Sequence, residues 1–408
     1  MKRVMLDSRA QRGFTLVELM VAMVAGLFVS MAVFTLAKHA SAFAMRQSRV
    51  ADATLQSVIG FERMKADIAR AGFLSTPNIN RDPSVCRDGL DDPGYPAWLK
   101  RIAGVRIEAA SDPAPGSAAN GLSPKSLVLA GSYDAFDQFV ARTVTQDASP
   151  KVVLSRTSLG MANIGYEPLT GAAALARVFK AGRALRIADD GGGVQFARIT
   201  GVTGGETPTI LLAEAPGVQF RSSSLVRCGV RGHGNDFVNP VTFIRYDIRS
   251  LRDSNPELAK MYLGGPSYEA TRRELVREEI DVDGTADATT LELIAEYVVN
   301  LDFSLLVAEN ASGPLERISG ADLANYAGNV DGLAGNGPQM IRAVHAWLSV
   351  RSQEADRPSA LPFPTTTPGP NLLRISVNAL DPTQPPFARV RTLQSTIPLA
   401  NQSRTTWR

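Results

Sequence analysis

The sequence predicts an α+β protein: one long N-terminal helix followed by a β-rich antiparallel head with long loops. Three observations carry this. No proline occurs from Met1 to Thr76, and within that stretch apolar residues first run together and then recur at helical spacings. From about Asn78 onward, short β-prone runs alternate with clusters of Gly, Pro, Asn and Asp. The composition, 44% hydrophobic and 20% charged over 408 residues, is that of a chain able to fill one large core. With 43 basic against 40 acidic residues and no long Lys/Arg run, the chain has no footprint for nucleic acid.

Residues 1–13 are short and basic, with Lys2, Arg3, Arg9 and Arg12 against a single Asp7. Phe14 to Ala37 is apolar throughout except for Glu18 and a few small hydroxyl residues. As a helix this run spans roughly 36 Å at ~1.5 Å per residue, enough to cross a hydrocarbon core of about 30 Å. It is longer than the apolar region of a cleaved secretory signal. As a plain signal anchor, its basic flank would hold the N-terminus in the cytoplasm, with no role for Glu18. An acidic residue in a membrane segment is costly and functional by default.

The string Arg12-Gly13-Phe14-Thr15-Leu16-Val17-Glu18 resembles the prepilin signature of type IV pilins and type II secretion pseudopilins. That resemblance implies cleavage between Gly13 and Phe14 by a membrane prepilin peptidase, N-methylation of Phe14, and an assembly role for Glu18. The physical logic agrees. Gly13 lets an extended backbone enter a narrow protease site. Cleavage leaves a charged amine in an apolar setting, and Glu18, one helical turn on, can neutralise it in its own or a neighbouring subunit. An unpaired carboxylate would penalise wrong registers between stacked helices.

After Ala37 the chain turns polar without a breaker. Phe43, Val50, Leu55, Val58, Ile59, Phe61, Met64 and Ile68 form an amphipathic stripe, and Gly72 and Pro77 end it. The organisation expected is therefore a removed leader (1–13), a transmembrane or filament-core helix (14–37), its amphipathic continuation (38–75) and a periplasmic head (76–408). Many major pilins carry a helix-kinking proline in the apolar half; its absence here fits a minor subunit.

In the head, strands are expected at Ile102–Ala109, Ser126–Ser132, Phe139–Thr145, Val152–Arg156, Leu185–Ala188, Val194–Thr200, Thr209–Ala213, Val241–Ile248, Met340–Val350 and Phe387–Pro398. Leu291–Leu301 reads as a short helix leading into a strand at Phe303–Val307, and an inserted lobe is expected around 110–235. Ile341–Ser352, Ala388–Gln402 and Glu296–Leu306 resemble segments of PilW-type minor pilins, whose subunits are also larger than typical pseudopilins.

Candidate chemistry is sparse. In an oxidising space Cys86 and Cys228 are expected to pair; the alternative is two buried thiols. Asp281, Asp283 and Asp287 have acidic spacing near that of a calcium loop, with Glu292 twelve places along, but Thr285 and Gly284 depart from the pattern; the plainer reading is a polar turn. His39, His233 and His345 share no metal-ligand spacing. Gly191–Gly193 lacks a phosphate-loop frame, and no nucleophile elbow occurs. No cofactor or metal is expected, and no enzymatic activity.

The resemblance implies a minor pilin of PilW type that primes or caps filament assembly, with the alternatives of a J-like type II secretion pseudopilin and a membrane-tethered periplasmic enzyme or binding protein. The expected partners are the prepilin peptidase, other minor pilins and the major pilin, the inner-membrane assembly platform, a tip adhesin and the membrane itself. The expected site is the bacterial inner membrane, single-pass with the head periplasmic, then the pilus tip or fibre, where adhesion and twitching motility are served.

Overall fold

The computed structural model describes residues 15–85, 96–145, 149–213, 230, 233–252, 256–260, 271–308, 313–331, 336–353, 355, 373–378, 380–381 and 384–402. It divides into two compact units, Met1–Leu55 and Gln56–Arg408. A single helix, α1 (Leu16–Arg70), runs through 55 residues with no proline to interrupt its hydrogen bonds. In the first unit, Leu16–Ser41 is long and apolar enough to cross a membrane, with a mean hydropathy of 2.4 and none of its residues buried.

In the second unit the last turns of α1 bury one face. Phe61, Met64, Ile68 and Ala71 lie in the main core at i, i+3 and i+4 intervals. Leu55 and Ile59, which the amphipathic stripe includes, are exposed. Close contact is made possible by Gly60: a Cβ there would stand 2.0 Å from the carbonyl oxygen of Ile294. Gly72, at φ +76°, ends the helix in the left-handed conformation, and its N–H donates to Ala130 O at 2.8 Å. The chain's C-terminal segment holds this end too, with Asn401 Nδ2 donating to Ala71 O at 3.2 Å.

The strands are β1 (Val105–Ala109), β2 (Lys125–Gly131), β3 (Phe139–Thr145), β4 (Lys151–Leu154), β5 (Ala184–Ala188), β6 (Val194–Thr203), β7 (Thr209–Leu212), β8 (His233–Arg249), β9 (Glu274–Ile280), β10 (Glu292–Ala295), β11 (Val298–Val307), β12 (Glu316–Ile318), β13 (Ile341–Arg351), β14 (Arg374–Ser376) and β15 (Phe387–Pro398). β8 organises the larger sheet. Its second half pairs with β2 on one side and β9 on the other, in the order β1-β2-β8-β9-β10. Its first half pairs with both β3 and β5, so β8-β3-β4-β7-β6-β5 closes into a six-stranded antiparallel barrel. Pro240 falls between the residues paired with β3 and those paired with β2, a gap in the ladder where its missing N–H is tolerated. Alternation fills the barrel: Phe139 and Ala141, Leu185 and Ile187, Ala197 and Ile199 all point inward, and Phe179 meets Phe139 edge-on at 4.8 Å.

Period-two alternation also buries both faces of the flat part of the sheet. Leu127, Leu129, Ile244 and Tyr246 face α1. Val128, Ala130 and Phe243 face Trp98, Leu99 and Ile102 on the other side. A second antiparallel sheet, β12-β11-β13-β15-β14, contributes Leu301, Phe303, Leu305, Val344, Ala346 and Leu348 to the core that α1 enters.

The helix expected at Leu291–Leu301 is instead β10 and the start of β11. The reason is local. The run carries the chain from one sheet to the other, with Tyr297 at φ +55° at the turn and its ring between the guanidinium groups of Arg272 and Arg351, at 4.5 and 4.9 Å.

A buried carboxylate ties α1 to the sheet. Asp67 of α1 is buried, accepting from Tyr246 Oη at 2.8 Å and Arg277 Nε at 2.7 Å, while Tyr133 Oη donates to its backbone carbonyl at 3.1 Å. Burial, then the adjacent Asp67 charge, pushes both phenols well above their ordinary range. They stay neutral donors. Asp67→Ala should therefore cost about 3–5 kcal/mol, because Tyr246 would be left buried without its acceptor and half-buried Arg277 would keep only Glu292, at 3.6 Å; thermal unfolding of the full chain in detergent measures the loss, and an unchanged midpoint would contradict it.

Candidate functional site

The apolar helix opens on a reciprocal cap. Thr15 is the first described residue and precedes the helix. Its backbone N–H donates to Glu18 Oε2 at 3.0 Å, its hydroxyl donates to the same oxygen at 3.0 Å, and Glu18 N–H donates to Thr15 Oγ1 at 3.2 Å. This is a capping box, in which side chains three residues apart each satisfy the other's orphan amide. Amides left open at a helix end are tolerable in water and expensive in hydrocarbon. The cap thus equips this end of the helix for a membrane boundary.

The geometry changes one inference drawn from the sequence. Glu18 has a role in any membrane helix that starts at Leu16, so its presence alone does not separate a pilin from a plain anchor. The signal was legible: Thr-x-x-Glu before an apolar run is a helix-start pattern. The helix also begins two residues later than a start at Phe14. Gly13 and Phe14, the expected processing residues, lie outside the described residues, as do Cys86 and Cys228. Only Oε2 of Glu18 is engaged among the described residues. Its second oxygen is left for another donor, the kind of group a newly freed amine would be.

Along the span no side chain is buried among the described residues. Leu16, Leu27, Phe28, Phe34 and Leu36 are each at least 70% exposed. Gly26 has nothing within 4 Å of where a Cβ would stand. Within the run the hydroxyl of Thr35 donates back to Met31 O and Ala32 O at 3.0 and 2.9 Å, as suits an apolar surround.

Several of the head's charged groups pair with one another. In the acidic loop, Asp281 Oδ1 accepts from Asp283 N–H and Thr285 N–H at 2.9 and 2.8 Å, a turn that ties up the carboxylate. Asp283 pairs with Arg198 at 2.6 Å, and Asp287 with Lys180. Among the described residues no cluster of three acids, histidines or cysteines could hold a metal ion. His39 is exposed in the apolar unit, the side chain of His233 lies outside the described residues, and His345 stacks edge-on against Trp347 at 4.2 Å with Nδ1 2.6 Å from Thr396 Oγ1. A cleft of about 580 Å³ between the barrel and β9 is lined by Phe136, Asn163, Lys180, Arg183 and Glu279. Its central Arg183 is spent on Glu279 at 2.5 Å and Asp134 at 2.7 Å. These pairs lock β5 and the barrel mouth to β9.

A capped apolar helix with no residue of its span buried, followed in sequence by an antiparallel β head, defines a helix-anchored α+β protein. The comparison with protein families makes the class specific: residues 8–34 match the prokaryotic N-terminal methylation motif, the type IV pilin and pseudopilin signature. The chain is pilin-like by that motif, which implies processing by a prepilin peptidase and assembly by pilus or secretion machinery. No curated protein and no solved structure matches the chain.

Replacing Thr15 with Val keeps its shape and removes the hydroxyl. Amide exchange at Glu18 in detergent micelles should then quicken roughly fivefold, with recovery in Thr15→Ser. Equal rates in all three chains would show that the cap carries no weight.

Proposed function

We propose that this chain is a minor pilin of the type IV pilus, of PilW type, that primes or caps filament assembly. In this reading the prepilin peptidase removes residues 1–13, Phe14 is N-methylated, and the helix from Phe14 moves from the bacterial inner membrane into the filament core. The observation that carries it is the uncovered apolar helix Leu16–Ser41 opening on a carboxylate with one oxygen unused, inside the methylation motif. Lipid covers such a surface before assembly. Neighbouring subunits' helices cover it afterwards, and the free oxygen of Glu18 meets the amine of Phe14 or of the adjacent subunit. The role is structural, with the periplasmic head presenting surfaces to other minor pilins, the major pilin, the assembly platform and a tip adhesin.

The segments that resemble PilW-type subunits fall together in one sheet. Glu296–Leu306, Ile341–Ser352 and Ala388–Gln402 supply β11, β13 and β15, which lie side by side at the centre of the second sheet. Cys86 and Cys228 are proposed to pair in the oxidising periplasm. The second reading, a J-like type II secretion pseudopilin, shares the same N-terminus and differs in the machine it serves.

The test is genetic and biochemical. Loss of the chain should reduce surface filaments at least tenfold while the major subunit is still made, and sheared filaments should contain the chain in trace amounts. Glu18→Gln keeps an oxygen for Thr15 but loses the charge; it should be processed and still fail to support filaments. Intact filaments with lost protein secretion would transfer the chain to the secretion machine, and no change in either would overturn both readings.

A further inference from the structure

The second sheet has two faces of opposite character. Leu301, Phe303 and Leu305 of β11 and Val344, Ala346 and Leu348 of β13 turn into the core. The alternate residues of each strand therefore project from the other face. Strand register arranges them in rows. Asp302, Trp347 and Gln394 form one row across β11, β13 and β15, and Ser304, His345 and Thr396 form the next. Leu306, Ala343 and Pro398 make a third, apolar row, with Arg317 of β12 opposite Leu306.

Cross-strand contacts fix the aromatic pair at the middle of this face. Trp347 Nε1 donates to Gln394 Oε1 at 3.0 Å, and His345 Nδ1 lies 2.6 Å from Thr396 Oγ1. The imidazole and the indole meet edge-on, at 4.2 Å and 63°. Trp347, His345 and Asp302 are half-buried, while Gln394 and Thr396 are exposed. Around the indole, hydrogen-bonding capacity is left over. Among the described residues Asp302 uses only Oδ1, which accepts from Phe303 N–H at 2.9 Å. Ser304 Oγ, opposite His345, and Asn300 Oδ1, one place along the same face of β11, are buried without a partner.

The chemistry of the face selects its ligand. Its rows carry one anion, Asp302, and one cation, Arg317. His345 adds no charge at neutral pH, because burial and then Arg317 hold it below its ordinary value. A face so balanced has no field to draw in a polyanion or a polycation. Thr396, Gln394, Ser304 and neutral His345 can each donate and accept, as the hydroxyls of a sugar do. The indole face is electron-rich, and the C–H side of a pyranose ring presents weakly positive hydrogens to it. The apolar row beside His345 and Thr396 offers Leu306 and Pro398 to a methyl group.

We propose that this face binds a neutral glycan of N-acetylhexosamine rings. One ring stacks on Trp347, its hydroxyls bond to Asp302, Gln394 and Thr396, and its acetamido methyl rests on Leu306 and Pro398. The site belongs to the head alone, so it would serve a filament subunit and a secretion subunit alike.

NMR of the full-length chain, in a detergent without a sugar headgroup, tests this with triacetylchitotriose as the probe. The indole N–H of Trp347 and the amides of Gln394 and Thr396 should shift together and saturate at millimolar ligand. Cellotriose, which has hydroxyls in place of the acetamido groups, should bind roughly fourfold more weakly, the worth of one buried methyl. Trp347→Ala should weaken binding of the chitotriose at least about tenfold. Thr396→Val, a shape-preserving change at an exposed site, should weaken it about fivefold. The amides of β11 report that each variant is folded. No saturable shift in the parent chain would overturn the proposal. Equal binding by the parent and both variants would overturn it too, leaving Trp347 as a cross-strand contact of the sheet. Equal affinity for cellotriose would refute the assignment to N-acetylated rings. Indole shifts that answer an added partner subunit and no saccharide would give the face to protein instead.

Discussion

The functional account rests on a surface the chain does not cover for itself. Leu16–Ser41 presents apolar side chains on every side, with none of them buried. At roughly 25 cal/mol per Å² of apolar area, such a helix cannot remain in water. It needs lipid or other helices, and a subunit that passes from one to the other needs both to be acceptable. The absence of proline, the back-bonded Thr35 and the cap at Thr15 serve this requirement, because each keeps backbone and hydroxyl groups satisfied without solvent. Glu18 then keeps one carboxylate oxygen without a partner among the described residues.

In the head the same helix meets the opposite demand. Its last turns must sit in a dry core, and they do so around a charged residue. Asp67 is held by Arg277 and Tyr246, so a buried, paired charge ties the helix to β8 and β9. β9 is built on this pattern throughout. Glu274 pairs with Arg272, Glu278 with Arg245 and Arg249, and Glu279 with Arg183, all with little exposure. Gly60 and the C-terminal Asn401 fix the distance and the end of the same helix segment.

Much of this was legible in the sequence. The long helix, its end near Gly72, and strands such as Phe139–Thr145 and Phe387–Pro398 follow from periodicity and breakers. β9 was not, because Glu-Leu-Val-Arg-Glu-Glu-Ile is too charged to read as buried; apart from Glu274, which pairs with nearby Arg272, its charges are cancelled by Arg183, Arg245, Arg249 and Asp67, distant in sequence. The first half of β8 was hidden by Pro240, which is tolerated only because the ladder changes partner there. β3 to β7 of the barrel fall within the span where an inserted lobe was expected, but β8 lies mostly beyond it, and closure depends on that one strand pairing on both sides, which no local pattern encodes. At the site, Glu18 stood out as a charge in an oily run, whereas Thr15 did not, although its spacing to Glu18 is the cap's sequence signature. Asp67 looked like one more charge on a helix; that it falls on the buried stripe is visible only once Met64, Ile68 and Ala71 set the face.

Mass spectrometry of the native N-terminus, on chain taken from cells that make the peptidase, addresses the central claim most directly. The account predicts a chain that begins at Phe14 and carries a methyl group on its amine. A chain that retains Met1 and the basic leader would contradict it, and would leave the capped helix as an ordinary membrane anchor.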